Sequence, residues 1–253
     1  MDLGITGKRA AVAAASGGLG FGAARALAAE GVRVAICGRD QERLERAVDQ
    51  LVADGAAPDD VVAVEVDVST VEGAAAFVAS ARDTLGGVDI LVTNAGGPPP
   101  GTFASTDLDA YREALDLNLL STIAMCQTAV PAMVDAGWGR VVAVTSIGVR
   151  QPIPNLIASV TARAGATGFL KVLAGEVAPH GVTVNSVLPG IHATDRLRQL
   201  HGDPAALAAD IPVGFVGDPD DFGRVVAFLC SQHARFITGA AIPVEGGAIR
   251  ALL

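Results

Sequence analysis

Aromatic residues are scarce in this 253-residue chain: they make up 4%, with a single tryptophan, Trp138, and a single tyrosine, Tyr111. The 51% hydrophobic share is therefore mostly Ala, Val, Leu and Ile, a composition that suits helices packed closely on both faces of a sheet. Positive charge is scarce too. The 18 Lys+Arg against 27 Asp+Glu leave a net charge of −9 and a pI near 4.8, which excludes nucleic acid as an expected partner because phosphate recognition wants a basic face. Three cysteines (Cys37, Cys126, Cys230) form no CxxC pair and have no histidine at ligand spacing. Reduced thiols are expected, with neither a disulfide framework nor a metal site. No run of 18 consecutive apolar residues occurs, so no membrane partner is expected. The opening MDLGITGKRA lacks the apolar stretch of a signal peptide, which points to a cytoplasmic location. Charged residues are only 18% against that hydrophobic share, which excludes intrinsic disorder.

What is present is alternation. Short apolar runs at 10–14, 32–37, 61–66, 88–93, 141–145, 182–187 and 240–244 are separated by longer segments with helical spacing. In QERLERAVDQLVA (41–53) the apolar positions 44, 47, 48, 51 and 52 fall on one helical face. Asp40 stands ahead of that segment as its N-cap. Seven strands alternating with helices predict a single doubly wound α/β domain of the Rossmann type across 1–253, with a seven-stranded parallel sheet and helices on both faces. Ligands of such folds sit beyond the carboxyl ends of the strands. The loops to inspect are therefore 14–20, 38–40, 67–69, 94–101, 146–157 and 188–212.

The first of these loops reads AASGGLG (14–20) and leads into a helix expected over 21–30. Glycines let backbone turn sharply and approach a pyrophosphate, whose charge a helix N-terminus stabilises. Further motifs follow in order: Asp67-Val68, TNAG (93–96), Asn118 in DLNLLS, Ser146 in VTSIG, NSVLPGIHAT (185–194) and ITGAAIPVEGG (237–247). Together they resemble the short-chain dehydrogenase/reductase family. That resemblance implies a nicotinamide cofactor. Its phosphates would be cradled by Ala14, Ser16, Gly18, Leu19 and Gly20, and its adenine side would be met by Asp67 and Val68. Asn94, Ala95 and Gly96 would lie along it, with Pro189, Gly190, Ile191 and Thr194 around the nicotinamide. It also implies Asn118 and Ser146 as active-site residues.

Three departures stand out. Ala14 replaces the first glycine of the phosphate loop. Gly17 stands where many NADP-using relatives carry a basic residue. Most important, the family's YxxxK is absent: 13 residues beyond Ser146 comes Ser159, and four further comes Arg163. Tyr111 lies one helix too early and is expected to be a packed core residue, and the only lysines are Lys8 and Lys171. Ser159 and Arg163 share a helix face at i, i+4. A serine hydroxyl is a weaker acid than a tyrosine, and its oxygen falls roughly 4 Å short of a tyrosine's. Ser159 is either helix filler or a polar residue lining the site. Arg163 can supply charge and hydrogen bonds to the cofactor ribose.

Arg39 follows the second strand in ICGRD, with Gly38 where NAD-preferring relatives place an acid. It suits a ribose 2′-phosphate, or else is a solvated loop residue. GPPPG (97–101) is the stiffest segment, either a wall of the substrate site or a rigid surface connection. His192 is the one histidine in reach of a substrate unless it lies at the surface, where His180, His201 and His233 are expected. The stretch 191–213 has the length and composition of a mobile lid. The sequence thus predicts an NADP(H)-dependent oxidoreductase of a small organic substrate, with Asn118, Ser146, Ser159, Arg163 and His192 as catalytic candidates. The alternatives are a non-redox enzyme (lyase, dehydratase or isomerase) and a non-catalytic nucleotide-binding protein. A homodimer or homotetramer is expected, the apolar tail 249–253 burying against a neighbouring copy.

Overall fold

The computed structural model describes residues 1–195, 197, 198 and 204–252. Seven strands, β1 (Arg9–Val12), β2 (Arg33–Gly38), β3 (Val61–Glu65), β4 (Ile90–Thr93), β5 (Gly139–Val144), β6 (Val182–Pro189) and β7 (Ala241–Val244), make one sheet in the order β3-β2-β1-β4-β5-β6-β7. Every neighbouring pair is parallel. The helices are α1 (Gly18–Ala29), α2 (Gln41–Ala53), α3 (Val71–Leu85), α4 (Leu108–Leu115), α5 (Ser121–Asp135), α6 (Ile157–Val177) and α7 (Pro219–Cys230). The doubly wound α/β fold expected from the alternation is the fold found.

The period of two along each strand divides the core into two clusters. In β1, Ala11 faces one cluster while Ala10 and Val12 face the other; β4 does the same with Leu91 against Ile90 and Val92. One face is covered by α3, α5 and α6 through Phe77, Met125, Met133 and Leu170. The opposite face is covered by α1, α2 and α7 through Leu27, Leu44, Leu51 and Phe222. Helix α2 begins and ends where the apolar spacing puts it, and the Asp40 carboxylate accepts from Arg43 N–H at 3.0 Å. Helix α1, in contrast, starts at Gly18, three residues before the expected start. Its glycines at 18, 20 and 22 lower helix propensity by roughly 1 kcal/mol each, but packing against the sheet and α7 overrides them.

That packing is close. A Cβ on Gly22 would overlap the Pro219 carbonyl oxygen, and one on Gly223 would overlap that of Gly22. Helices α1 and α7 therefore meet backbone to backbone. Helices α4 and α5 are joined through a π-helical turn (Asp116–Leu120) into one rod, Leu108–Asp135. The rod is long and apolar enough to cross a membrane by length and composition, which a search for unbroken apolar runs misses; half of its most apolar window is buried inside the protein. All three cysteines are free and buried, and burial pushes each thiol up to about 12.

Of the segment expected to be a lid, the described part is built into the body. His192 bridges Gly217 in a parallel pairing, 204–210 form a 3-10 helix, and Ile211 is buried. The remainder, with His201, lies outside the described residues. In the tail, Arg250 N–H donates to Gln151 at 2.9 Å and Leu252 is fully exposed in the single chain; Leu253 also lies outside the described residues.

Gly22→Ala, which in an open helix stabilises by roughly 1 kcal/mol, should here destabilise by about 1–3 kcal/mol because the methyl has no space. The check is a thermal melt, with a drop of roughly 2–4 °C per kcal/mol for a chain of this size.

Candidate active site

The strand order reverses between β1, flanked by β2, and β4, so the loops after these strands diverge and leave a crevice. The phosphate loop lies on its floor. Ala14 takes a left-handed φ of +47° and Gly18 one of +59°. A Cβ on Gly20 would stand 2.5 Å from the Ala14 carbonyl oxygen and 2.8 Å from the Asn94 amide. Asn94 Nδ2 donates to that same carbonyl at 3.2 Å, and the Ala14 N–H donates to Cys37 Sγ at 3.3 Å. The loop is thus pinned from β2 and from β4. No side chain caps α1 at Gly17, so the first-turn N–H groups form an anion-binding end.

The adenine side is built from the ends of β2 and β3. Burial works against the charged form of Asp67, but hydrogen bonds from Ser69 and the nearby Arg39 guanidinium hold its carboxyl below the ordinary range. Val68 is buried, and Arg39 itself is exposed. A Cβ on Gly38 would stand 3.0 Å from Ser16 Oγ, so glycine at 38 and serine at 16 fit each other. Thr194 closes on the loop from the β6 side, its methyl 3.5 Å from where a Gly18 Cβ would lie. Behind it, Gly190 N–H donates to the Val244 carbonyl of β7 at 3.0 Å, and a Cβ there would strike Glu245. Pro189 ends β6 and Ile191 follows, its carbonyl accepting from Gly217 N–H.

Arg163 lies at the crevice end of β4 and β5. Its Nη1 donates to the Val144 and Thr145 carbonyls at 3.0 and 2.9 Å, and Nη2 to the Gly96 carbonyl at 3.3 Å. Nε donates to Ser159 Oγ at 3.3 Å. The guanidinium thus joins the chain segments after β4 and β5. Asn118, in the π-turn, donates to the same Gly96 oxygen at 2.9 Å, and its Oδ1 is buried with no partner among the described residues. Ser146 Oγ accepts from Gly148 N–H at 3.0 Å and caps a short 3-10 turn. Asn118, Ser146, Ser159 and Arg163 are therefore linked directly or through Gly96 and Thr145. The proline segment is tied to the entrance of α6: Gly101 N–H donates to Asn155 O at 2.7 Å, and Gly101 pairs with Leu156.

Two expectations need correction. His192 is neither a surface residue nor turned to the crevice. It is 6% exposed, its ring packs edge-on against Phe222 at 5.3 Å, and a Gly217 Cβ would collide with it. Burial lowers its pKa, against a hydrogen bond between Nδ1 and the Gly190 carbonyl at 3.2 Å and the charge of Asp218. The neutral ring thus serves to pack the loop after β6 onto α7. Tyr111 is half-buried rather than core, packing with Leu115 against Ala158 and Ala162 in a small cluster between α4 and α6. His180 and His233 are exposed as expected. Arg43 was legible only as a helix-surface residue. Its Nη2 in fact lies 3.2 Å from where a Gly17 Cβ would be, and 3.5 Å from Asp195 Oδ2.

The model of the family described as enoyl-(acyl carrier protein) reductase matches residues 13–248. Dehydrogenase/reductase SDR family member 4 of Bos taurus is 34% identical over 249 residues, 97% of this chain and 88% of that protein. The chain belongs to the short-chain dehydrogenase/reductase family, whose members are NAD(P)-dependent oxidoreductases. Another relative within the family is acetoacetyl-CoA reductase of Cupriavidus necator, 33% identical over 245 residues, 96% of this chain and 98% of that protein. Among solved structures, L-sorbose reductase of Gluconobacter frateurii, complexed with NADPH and L-sorbose, superposes with a TM-score of 0.92 at 30% identity, covering 100% of both chains.

A left-handed alanine costs roughly 1–2 kcal/mol, and glycine's extra unfolded-state entropy returns about 0.4–1 kcal/mol of that. Ala14→Gly should therefore stabilise the protein by about 0.5–1 kcal/mol, read as a rise in melting temperature. A fall would mean that the Ala14 methyl, which packs on the α3/α5/α6 cluster, contributes more than its strain costs.

Proposed function

We propose that this chain is an NADP(H)-dependent oxidoreductase of a small organic substrate that needs little or no proton from the enzyme, working in the cytoplasm as a homodimer or homotetramer. The observation that carries the reading is a complete cofactor cradle beside a proton-delivery pair turned inward. Uncapped α1 offers its first-turn N–H groups to a pyrophosphate, and Ala14, Ser16, Gly18, Leu19, Gly20, Asp67, Val68, Asn94, Ala95, Gly96, Pro189, Gly190, Ile191 and Thr194 would hold the dinucleotide. When bound, the nicotinamide supplies the two-electron chemistry. Arg39 beside the acid-free Gly38 supports NADP(H) over NAD(H).

The chain's own residues then determine what substrate can react. Positioned acid catalysis contributes roughly 10²–10⁴-fold, or about 3–5 kcal/mol. Ser159 Oγ already accepts from Arg163, and Arg163 never gives up its proton. Ser146 can donate a hydrogen bond to a substrate oxygen but does not protonate it at neutral pH. His192, held neutral in the packing, offers no proton either. Hydride addition to an iminium ion gives a neutral amine and asks for no proton. An activated alkene is left as a stabilised carbanion that can take its proton from water, whereas a simple ketone is left as a strongly basic alkoxide that needs a positioned acid.

The assembly proposal is supported by apolar exposure outside the crevice. Val172 on α6 is 63% exposed, and Phe236 and Leu252 are fully so. Light scattering should give a mass of at least two chains at micromolar concentration; a monomer mass would refute it.

NADPH should bind more than tenfold tighter than NADH. Arg39→Ala should remove that preference, since a charge-assisted contact contributes roughly 1.5–3 kcal/mol. In NADPH-absorbance assays over a panel of ketones, imines and enones, simple ketones should turn over weakly or not at all. With an active substrate, Ser146→Ala and Arg163→Ala should each cost more than about tenfold, and Ser159→Ala little. Brisk ketone turnover that collapses in Ser159→Ala would overturn the proton-free reading. Tight NADPH binding with no turnover of any substrate would turn the reading to a nucleotide-binding protein.

A further inference from the structure

Gly17 leaves one side of the proposed 2′-phosphate site without a side chain. Arg43 fills that side from another element. Its Nη2 lies 3.2 Å from the point a Gly17 Cβ would occupy, so a side chain at 17 would crowd the guanidinium and push it aside by a few tenths of an ångström. The Asp40 cap fixes the backbone from which Arg43 springs, and the cap directly follows Arg39. Arg39 is near enough to Asp67 to act on its charge, and Arg43 stands beside Gly17, so both arginines serve the loops that meet the end of β2.

Arg43 Nη2 also lies 3.5 Å from Asp195 Oδ2, across the mouth of the phosphate loop, with 44% and 61% of the two side chains exposed. Such a long, solvated pair contributes at most about 1 kcal/mol. Asp195 has a second, shorter partner, Arg198 Nη1 at 2.8 Å, so losing Arg43 leaves no stranded charge.

We infer that Arg43 is the second arm of a two-arginine clamp on the cofactor's 2′-phosphate, and that Asp195 holds this arm while the phosphate is absent. The inference rests on the NADP(H) reading above. A phosphate of nearly two negative charges with three acceptor oxygens competes well against one carboxylate oxygen at 3.5 Å. NADH carries no group to draw the arginine away, so the pair between α2 and the segment after β6 persists with that cofactor. Because coupling between ligands is reciprocal, Asp195 should oppose NADPH binding and leave NADH binding alone.

The test is a set of dissociation constants for NADPH and NADH with the wild-type protein and the variants Arg39→Ala, Arg43→Ala, Arg43→Lys and Asp195→Asn, each first shown by thermal melting to be folded. Arg43→Ala should weaken NADPH roughly tenfold and change NADH less than about twofold, with Arg43→Lys recovering most of the loss. Asp195→Asn should tighten NADPH by roughly two- to fivefold with NADH unchanged. If the wild type prefers NADPH and Arg39→Ala abolishes the preference, but Arg43→Ala leaves it intact, the clamp falls and the NADP(H) reading stands. Equal weakening of both nucleotides by Arg43→Ala also overturns the clamp, by making Arg43 a support of the phosphate loop. Asp195→Asn without effect on NADPH overturns the holding role. A wild type with no preference overturns the clamp together with the reading beneath it.

Discussion

In a parallel sheet every strand delivers its carboxyl end to the same edge, and a reversal of strand order there leaves a crevice that no crossover helix covers. In this protein the reversal falls between β1 and β4. The Ala14 carbonyl at that point receives the Asn94 amide and lies under Gly20. The approach of the Gly20 backbone and the Asn94 side-chain amide to one oxygen sets what residues can stand nearby. Gly20 cannot carry a side chain, Asn94 must reach back, and Ala14 sits at a φ of +47°. The same need for close approach recurs where α1 and α7 cross at Gly22 and Gly223. A chain poor in aromatics and rich in alanine and glycine meets this need in both places.

The fold was legible because burial on both sheet faces forces short apolar runs, and helices between them show a period that runs do not. The apolar spacing of 41–53 and the Asp40 cap suffice to place α2 to the residue. Where glycine served the site instead of the helix, as in the first turn of α1, propensity misplaced the boundary. Motif order picked out candidate site residues, but not what their side chains touch. His192 was misread because one histidine after a Pro-Gly turn carries no sign of the aromatic ring, Phe222, waiting 30 residues on in α7. Arg43 was illegible for a related reason: its partners, Gly17 and Asp195, lie on two other loops. An arginine in QERLER looks like any solvated helix residue until those loops are brought together.

Ser159 and Arg163 act as one unit, one turn apart on α6, with Arg163 Nε donating to Ser159 Oγ at 3.3 Å. A lysine at 163 would be a compact point charge. A guanidinium offers a rigid fork instead, and here the fork meets carbonyl oxygens from both β4 and β5 ends. Asn118 donates to the Gly96 oxygen that Arg163 also reaches, so the two residues fix the TNAG segment jointly. Cationic charge is retained at the crevice, but it is surrounded by carbonyl dipoles that offset its field.

The hydrogen bonds already made at this end of the crevice decide which groups are left to meet a ligand. A developing oxyanion is best stabilised by donors whose hydrogens are aimed at it and bound to nothing else. Asn118 has given its amide to Gly96 and presents a buried acceptor, Oδ1. Ser146 keeps its hydroxyl hydrogen while its oxygen accepts from Gly148, so it remains able to donate. A buried acceptor and a guanidinium shielded by carbonyls favour a reacting group that carries positive charge, or none, over one that builds negative charge on oxygen. On electrostatic grounds, then, the buried Asn118 acceptor and the carbonyl-bound Arg163 act in the same sense at this end of the crevice, although they come from different elements, and Ser146 is the hydroxyl donor beside them.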